Sequence, residues 1–190
     1  ILVNIIFWFV SLALLAGFGE DFFSSYIALT PSKIIHGQSL WTLITSMFSH
    51  IYLWHIFANM FSLFFIGNFL EKLIGRKRFF WVYLASGLFG GLFFVAGGLI
   101  FGSDISGIGA SGAIFGILGV LALLVPNVRI SLIVGPLLVL LAEVLLSGII
   151  PMNILDTIAN VLILIMIFAM FSFNPKFRKL AIPLEMKMWL

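Results

Sequence analysis

The stretch ISGIGASGAIFGILGVLALL, residues 105–124, sets a serine, Ser111, between Gly109 and Gly112 at the head of an apolar run. Glycine removes the Cβ and opens the backbone, so another group can approach the hydroxyl closely. A serine where a helix begins also stands beside amide N–H groups that have no partner inside the helix. Such groups can stabilise a developing oxyanion. The same glycines serve equally well for close helix packing in a bilayer. At 100° per residue, Gly109, Gly112, Gly116 and Gly119 fall within an arc of roughly 80°, a smooth face for a neighbouring helix.

What surrounds this run is almost all apolar. Hydrophobic residues make up 63% of the chain and charged residues 9%, which excludes a water-soluble domain and leaves one integral membrane domain in 190 residues. No cysteine is present, so disulfides and thiolate metal sites are excluded. Neither a metal nor a cofactor is expected, and the partners implied are the lipid bilayer and membrane segments, not nucleic acid.

Six apolar segments are marked, at about 1–18, 50–70, 79–101, 110–125, 130–149 and 155–172, each long enough to read as a span. Gly75-Arg76-Lys77-Arg78, Ser103-Asp104, Pro126-Asn127-Val128-Arg129 and Pro151-Met152-Asn153 separate the later ones. The fourth is short, which suits a helix that begins below the membrane surface. The expected class is all-α: a membrane domain over 1–172 and a cytoplasmic tail over 173–190. Residues 1–18 also resemble a signal-peptide core, with Ala13 to Gly17 as a cleavage-like region.

With six alternating spans, nine of the ten basic residues fall on one side and only Lys33 on the other. Glu20, Asp21, Asp104 and Asp156 lie opposite them. The positive-inside tendency therefore puts both termini in the cytoplasm, and the expected location is the plasma membrane of a prokaryote. The long first loop, 19–49, interleaves Phe22, Phe23, Tyr26, Trp41 and Phe48 with small polar residues, a composition suited to the membrane interface.

A second polar group lies in the second segment. His55, Asn59 and Ser62 follow i, i+4, i+7 and share one helix face, with His50 just before them. Polar groups on one face of a span are costly against lipid, so this face should turn inward. His55 and Ser111 both stand towards the outer side. A helix–helix hydrogen bond without chemistry is the simpler alternative.

His50-x4-His55-x3-Asn59, followed by Gly109-Ala110-Ser111-Gly112, resembles the rhomboid intramembrane serine proteases. The resemblance extends to Trp41, Glu71 and Gly75 and covers about residues 35–172. It implies a six-helix rhomboid bundle with Ser111 as nucleophile. His55 and Asn59 would stabilise the oxyanion beside the Ser111 amide, and Gly109, Gly112 and His50 would support the site. It also implies transmembrane proteins as substrates, or as clients where nothing is cut.

One departure cuts against activity. The family's base is a histidine in the sixth segment, and Asn160 stands in its place. Ile163 and Ile167 occupy positions where the family has small glycines. An amide cannot take the serine proton at neutral pH. The chain then reads as a natural inactive relative, a deliberately inactivated one, or an enzyme with another base. His50 and His55 are the candidates for that base. Asp156 reads as a solvated loop-end acid, and Glu143 as an intramembrane acid that is either a functional candidate or a side chain reaching outward to the interface.

Overall fold

The structure is a computed structural model. It describes residues 1–126, the strand residues 129–133 and 183–187, and the single helical positions Ile154, Ile158, Val161, Leu162 and Ile165. Two compact units divide the chain, Ile1–Leu124 and Val125–Leu190.

The first unit is helical. Helix α1, Leu2–Tyr26, is interrupted at Gly19, whose φ of 81° and ψ of 179° lie outside the helical region. The expected end of the first span at residue 18 falls at this break. Residues 20–26, expected to begin a loop, are instead a second helical piece. Glu20 and Asp21 stand at its start, where the helix dipole favours acids, and Phe23 is buried beneath it. Two short helices follow, α2 at Pro31–Ile35 and α3 at Thr42–Thr45, then a 3₁₀ turn at Ser46–Phe48. Proline at the first position of α2 suits its fixed φ and missing donor.

The second span is continuous from Leu53 to Ile74. It is built from α4, Leu53–Ser62, a π turn at Leu63–Gly67, and α5, Asn68–Ile74. It starts three residues later than expected, because 49–52 pass in a non-helical run before it. Gly75, at φ 83° and ψ 157°, makes the whole turn into α6, Arg76–Phe101. The Arg76-Lys77-Arg78 separator therefore forms the first turn of the third span, not a loop. Cations at a helix N-terminus oppose the dipole.

Helix α6 ends at Gly102, which is left-handed and donates its N–H to the Gly98 carbonyl, the usual glycine stop. The fourth apolar helix, α7, runs Ser111–Leu124. Its 14 residues rise about 21 Å, short of a ~30 Å hydrocarbon layer. Three helices, Leu2–Tyr26, Leu53–Ile74 and Arg76–Phe101, are long and apolar enough to cross a membrane among the described residues.

The first loop is packed, not free. Leu29 and Gly107 form a two-way antiparallel bridge, with both N–H···O distances at 2.9 Å. Thr30 and Ser106 share a hydroxyl hydrogen bond of 2.8 Å. Ser32 donates its amide and its hydroxyl to the two Asp104 oxygens at 2.8 and 2.6 Å. The chain entering α7 is thereby fastened along its length to the first loop. Tyr26 and Trp41 remain half exposed, with stacked rings and the Trp41 Nε1–H donating to the Tyr26 carbonyl, as an interfacial loop requires. Helices α6 and α7 cross at Gly90 and Gly112. A Cβ on Gly90 would lie 2.9 Å from the Gly112 Cα, so the crossing admits no side chain there.

In the second unit, β1, Arg129–Ile133, pairs antiparallel with β2, Pro183–Lys187. Its register sets Ile130 opposite Met186 and Leu132 opposite Leu184, with Ser131 opposite Glu185. Polar and apolar positions alternate from Arg129 to Leu132 and from Leu184 to Lys187, a strand period where apolar composition suggested helix from residue 130. The rest of the fifth segment, most of the sixth with Asn160, and Glu143 and Asp156 lie outside the described residues.

Candidate active site

Ser111 is the first residue of α7 and is exposed. The Ile114 amide donates to the Ala110 carbonyl at 3.0 Å and opens the helical ladder. The amides of Ser111, Gly112 and Ala113 therefore stand ahead of that ladder, at the positive end of the helix dipole. Ser111 lines a cavity of about 210 Å³ with Ser46, Gly87, Gly90, Gly107 and Gly109. Glycine backbones form much of its wall, and α6, α7 and the first loop all contribute to it.

Gly109 is the pivot of this arrangement. Its φ of 120° is accessible to glycine and strained for other residues. Its amide donates to the Ser46 carbonyl at 2.8 Å. A Cβ here would stand 2.7 Å from His55 Nε2, so the imidazole rests directly against the backbone. The GxSG spacing thus serves two close approaches: Gly109 to a histidine and Gly112 to the next helix.

His50 is fully buried. Its Nδ1 lies 3.2 Å from the Phe48 carbonyl, and its Nε2 receives the Ala110 amide at 3.4 Å. A carbonyl only accepts and an amide only donates. The ring is therefore the neutral tautomer with its hydrogen on Nδ1. His50 and His55 meet edge to face with centroids 4.9 Å apart. Both histidines thus adjoin the dipeptide that leads into Ser111.

Asn59 is buried on the same helix face, as expected, and Ile56 and Leu63 are buried beside it. One of its amide hydrogens turns back to the His55 carbonyl, 2.9 Å away. Neither His55 nor Asn59 lines the cavity that holds Ser111; His55 adjoins the serine's segment through Gly109, and Asn59 stands one step further back, on the His55 carbonyl. Asn160 lies outside the described residues.

The structure adds residues that the sequence reading passed over. Ser46 lines the cavity and supports Gly109. Helix α1 presents Asn4, Trp8 and Ser11 at i, i+4, i+7, and Asn4 and Ser11 are buried. Asn4 and the Tyr83 hydroxyl exchange hydrogen bonds at 3.4 Å, and Trp8 Nε1–H donates to the Ile51 carbonyl at 3.2 Å. The Phe48 ring sits between Phe7 and Tyr83, at centroid distances of 5.6 and 5.8 Å. The segment 48–51 is therefore gripped on both sides of His50. The signal was a helical spacing of polar groups in the first span, the same pattern that drew attention to the second.

Outside the membrane, the Ser32 hydroxyl and amide hold the Asp104 carboxyl below its usual range. No group of three or more metal-binding side chains occurs among the described residues.

Residues 37–175 match the Rhomboid domain family. RHOMBOID-like protein 1 of Arabidopsis thaliana is 39% identical over 92 residues, 48% of this chain and 23% of that protein. The mitochondrial Rhomboid protein 1 of Saccharomyces cerevisiae is 38% identical over 117 residues, 60% of this chain and 33% of that protein. Inactive RHOMBOID-like protein 8 of Arabidopsis thaliana is 33% identical over 91 residues, 48% of this chain and 25% of that protein. The chain thus spans a third or less of the length of these curated relatives. The family match covers well over half of the chain and includes both histidines, Asn59 and Ser111; the chain belongs to the rhomboid family.

Proposed function

We propose that this chain is an intramembrane serine protease scaffold with Ser111 as nucleophile, acting on transmembrane protein segments, and that its turnover is strongly impaired. The observation that carries the reading is the position of Ser111. It opens a short apolar helix beside a cavity, with two histidines packed against the residues just before it. His55 and Asn59 are assigned to oxyanion stabilisation together with the Ser111 amide, and His50, Gly109 and Gly112 to supporting that geometry. Asn160 takes the place of the base and leaves the serine unactivated. The cationic side of the protein, with both termini, faces the cytoplasm of a prokaryotic cell, and the mitochondrial relatives make an organelle membrane the competing location.

A relative whose name marks it as inactive favours a second reading, in which this chain binds transmembrane segments without cutting them. Reconstitution with a fluorescent transmembrane reporter separates the two. The protease reading expects slow cleavage that Ser111→Ala abolishes. Saturable binding with no Ser111-dependent product establishes the second reading. Failure to bind any transmembrane segment overturns both.

A further inference from the structure

The turn between α5 and α6 concentrates positive charge that the described structure does not neutralise. Lys72, Arg76, Lys77 and Arg78 are all exposed. Three of them occupy the first turn of α6, which has no acidic residue and no side-chain cap. Among the described residues no carboxylate forms an ion pair with them. Glu71 is the nearest acid in sequence, so four cations stand against one carboxylate. The helix dipole adds to the same sign, because the unpaired amides of α6 point into the cluster. Placed this way, the cations destabilise the folded helix end unless an anion joins them.

The depth of the cluster identifies that anion. Helix α6 has 26 residues and rises about 39 Å, beyond a ~30 Å hydrocarbon layer, and its triply charged first turn is the end suited to the headgroup region. Just below the cations, Phe80 and Trp81 are exposed, Trp81 at 67%, as side chains anchored at an interface are. At that level the abundant anions are lipid phosphates. The Arg76 and Arg78 guanidiniums suit their paired oxygens.

We infer that Lys72, Arg76, Lys77 and Arg78 form a binding site for the phosphodiester headgroup of an anionic phospholipid, which neutralises the start of α6. The local excess of charge favours a headgroup bearing two phosphates over one bearing a single phosphate. A basic juxtamembrane cluster of this size attracts anionic lipid with about a five-fold gain per cation. The inference stands apart from the assignment of Ser111.

The test is lipid retention by the full chain, extracted from vesicles that contain phosphatidylcholine and phosphatidylglycerol in equal amounts and weighed intact by native mass spectrometry. The expected result is selective retention of phosphatidylglycerol, and tighter retention of cardiolipin when it replaces phosphatidylglycerol. Arg76→Gln with Lys77→Gln and Arg78→Gln should lower retention at least twenty-fold, whereas Arg76→Lys with Arg78→Lys should keep most of it. If the triple variant does not insert, salt titration of the unmodified chain decides, because retention must fall as ionic strength rises. Equal retention of the zwitterionic lipid, retention that ignores salt, or full retention in the triple variant would overturn the site. Displacement by millimolar inorganic phosphate would show a free-anion site, and binding only of acidic peptides a protein-docking one; either result contradicts the lipid assignment.

Discussion

At Gly109 two constraints meet in one residue: a φ of 120° and an imidazole resting where a side chain would go. Alanine there must adopt a strained backbone and push His55 away, at a cost of about 1–3 kcal/mol. Gly109→Ala should therefore lower the melting temperature in detergent and expose His55 to acylation by diethylpyrocarbonate. An unchanged melt would show that the pivot tolerates a Cβ. Asp104 shows the same dependence on local contacts at the surface. Its pKa is depressed by the Ser32 hydroxyl and amide, so the clamp is in place above the ordinary carboxylate range and is lost as pH falls through the lowered value. Amide exchange at Ser32 should quicken only in that acidic window, and Asp104→Ala should quicken it at neutral pH. Exchange at Ser32 that is indifferent to the substitution would contradict the clamp.

Among the elements, α1 does more than cross the membrane. Its Asn4 and Trp8 hold Tyr83 and the Ile51 carbonyl, on either side of the segment that carries His50. Tyr83→Phe leaves Asn4 buried without its partner, a loss of about 1–2 kcal/mol. Trp8→Phe, which keeps the ring and removes the N–H, should cost about 1 kcal/mol. Ring-nitrogen NMR of His50 reports whether these losses reach the site. A mixture of tautomers in either variant is the expected outcome, and an unaltered His50 spectrum would confine α1 to packing. The four apolar segments of the first unit, the shortness of α7 and the packed aromatic loop were all legible in the sequence, because hydropathy and glycine placement express them directly. The α1 grip was passed over: Asn4, Trp8 and Ser11 share a helix face, but that spacing does not name a partner 79 residues away. The β1–β2 ladder was hidden for a different reason. Its alternation spans only four residues in each strand and is submerged in apolar composition.

For the whole molecule, the proposed orientation rests on the cation distribution. The chain has no cysteine, so Lys77→Cys and Asp104→Cys each supply a single label site. In oriented vesicles the two positions should react from opposite faces, and labelling of both from one face would overturn the orientation. The central claim, that Ser111 is a nucleophile deprived of its base, is tested most directly by turnover of a transmembrane reporter in liposomes. Loss of such a base commonly lowers the rate by about 10⁴. The unmodified chain should be near background. Asn160→His, combined if needed with Ile163→Gly and Ile167→Gly to admit the sixth segment, should raise cleavage by orders of magnitude, and adding Ser111→Ala should abolish the gain. Robust Ser111-dependent cleavage by the unmodified chain, or no gain in any histidine variant, would contradict the claim.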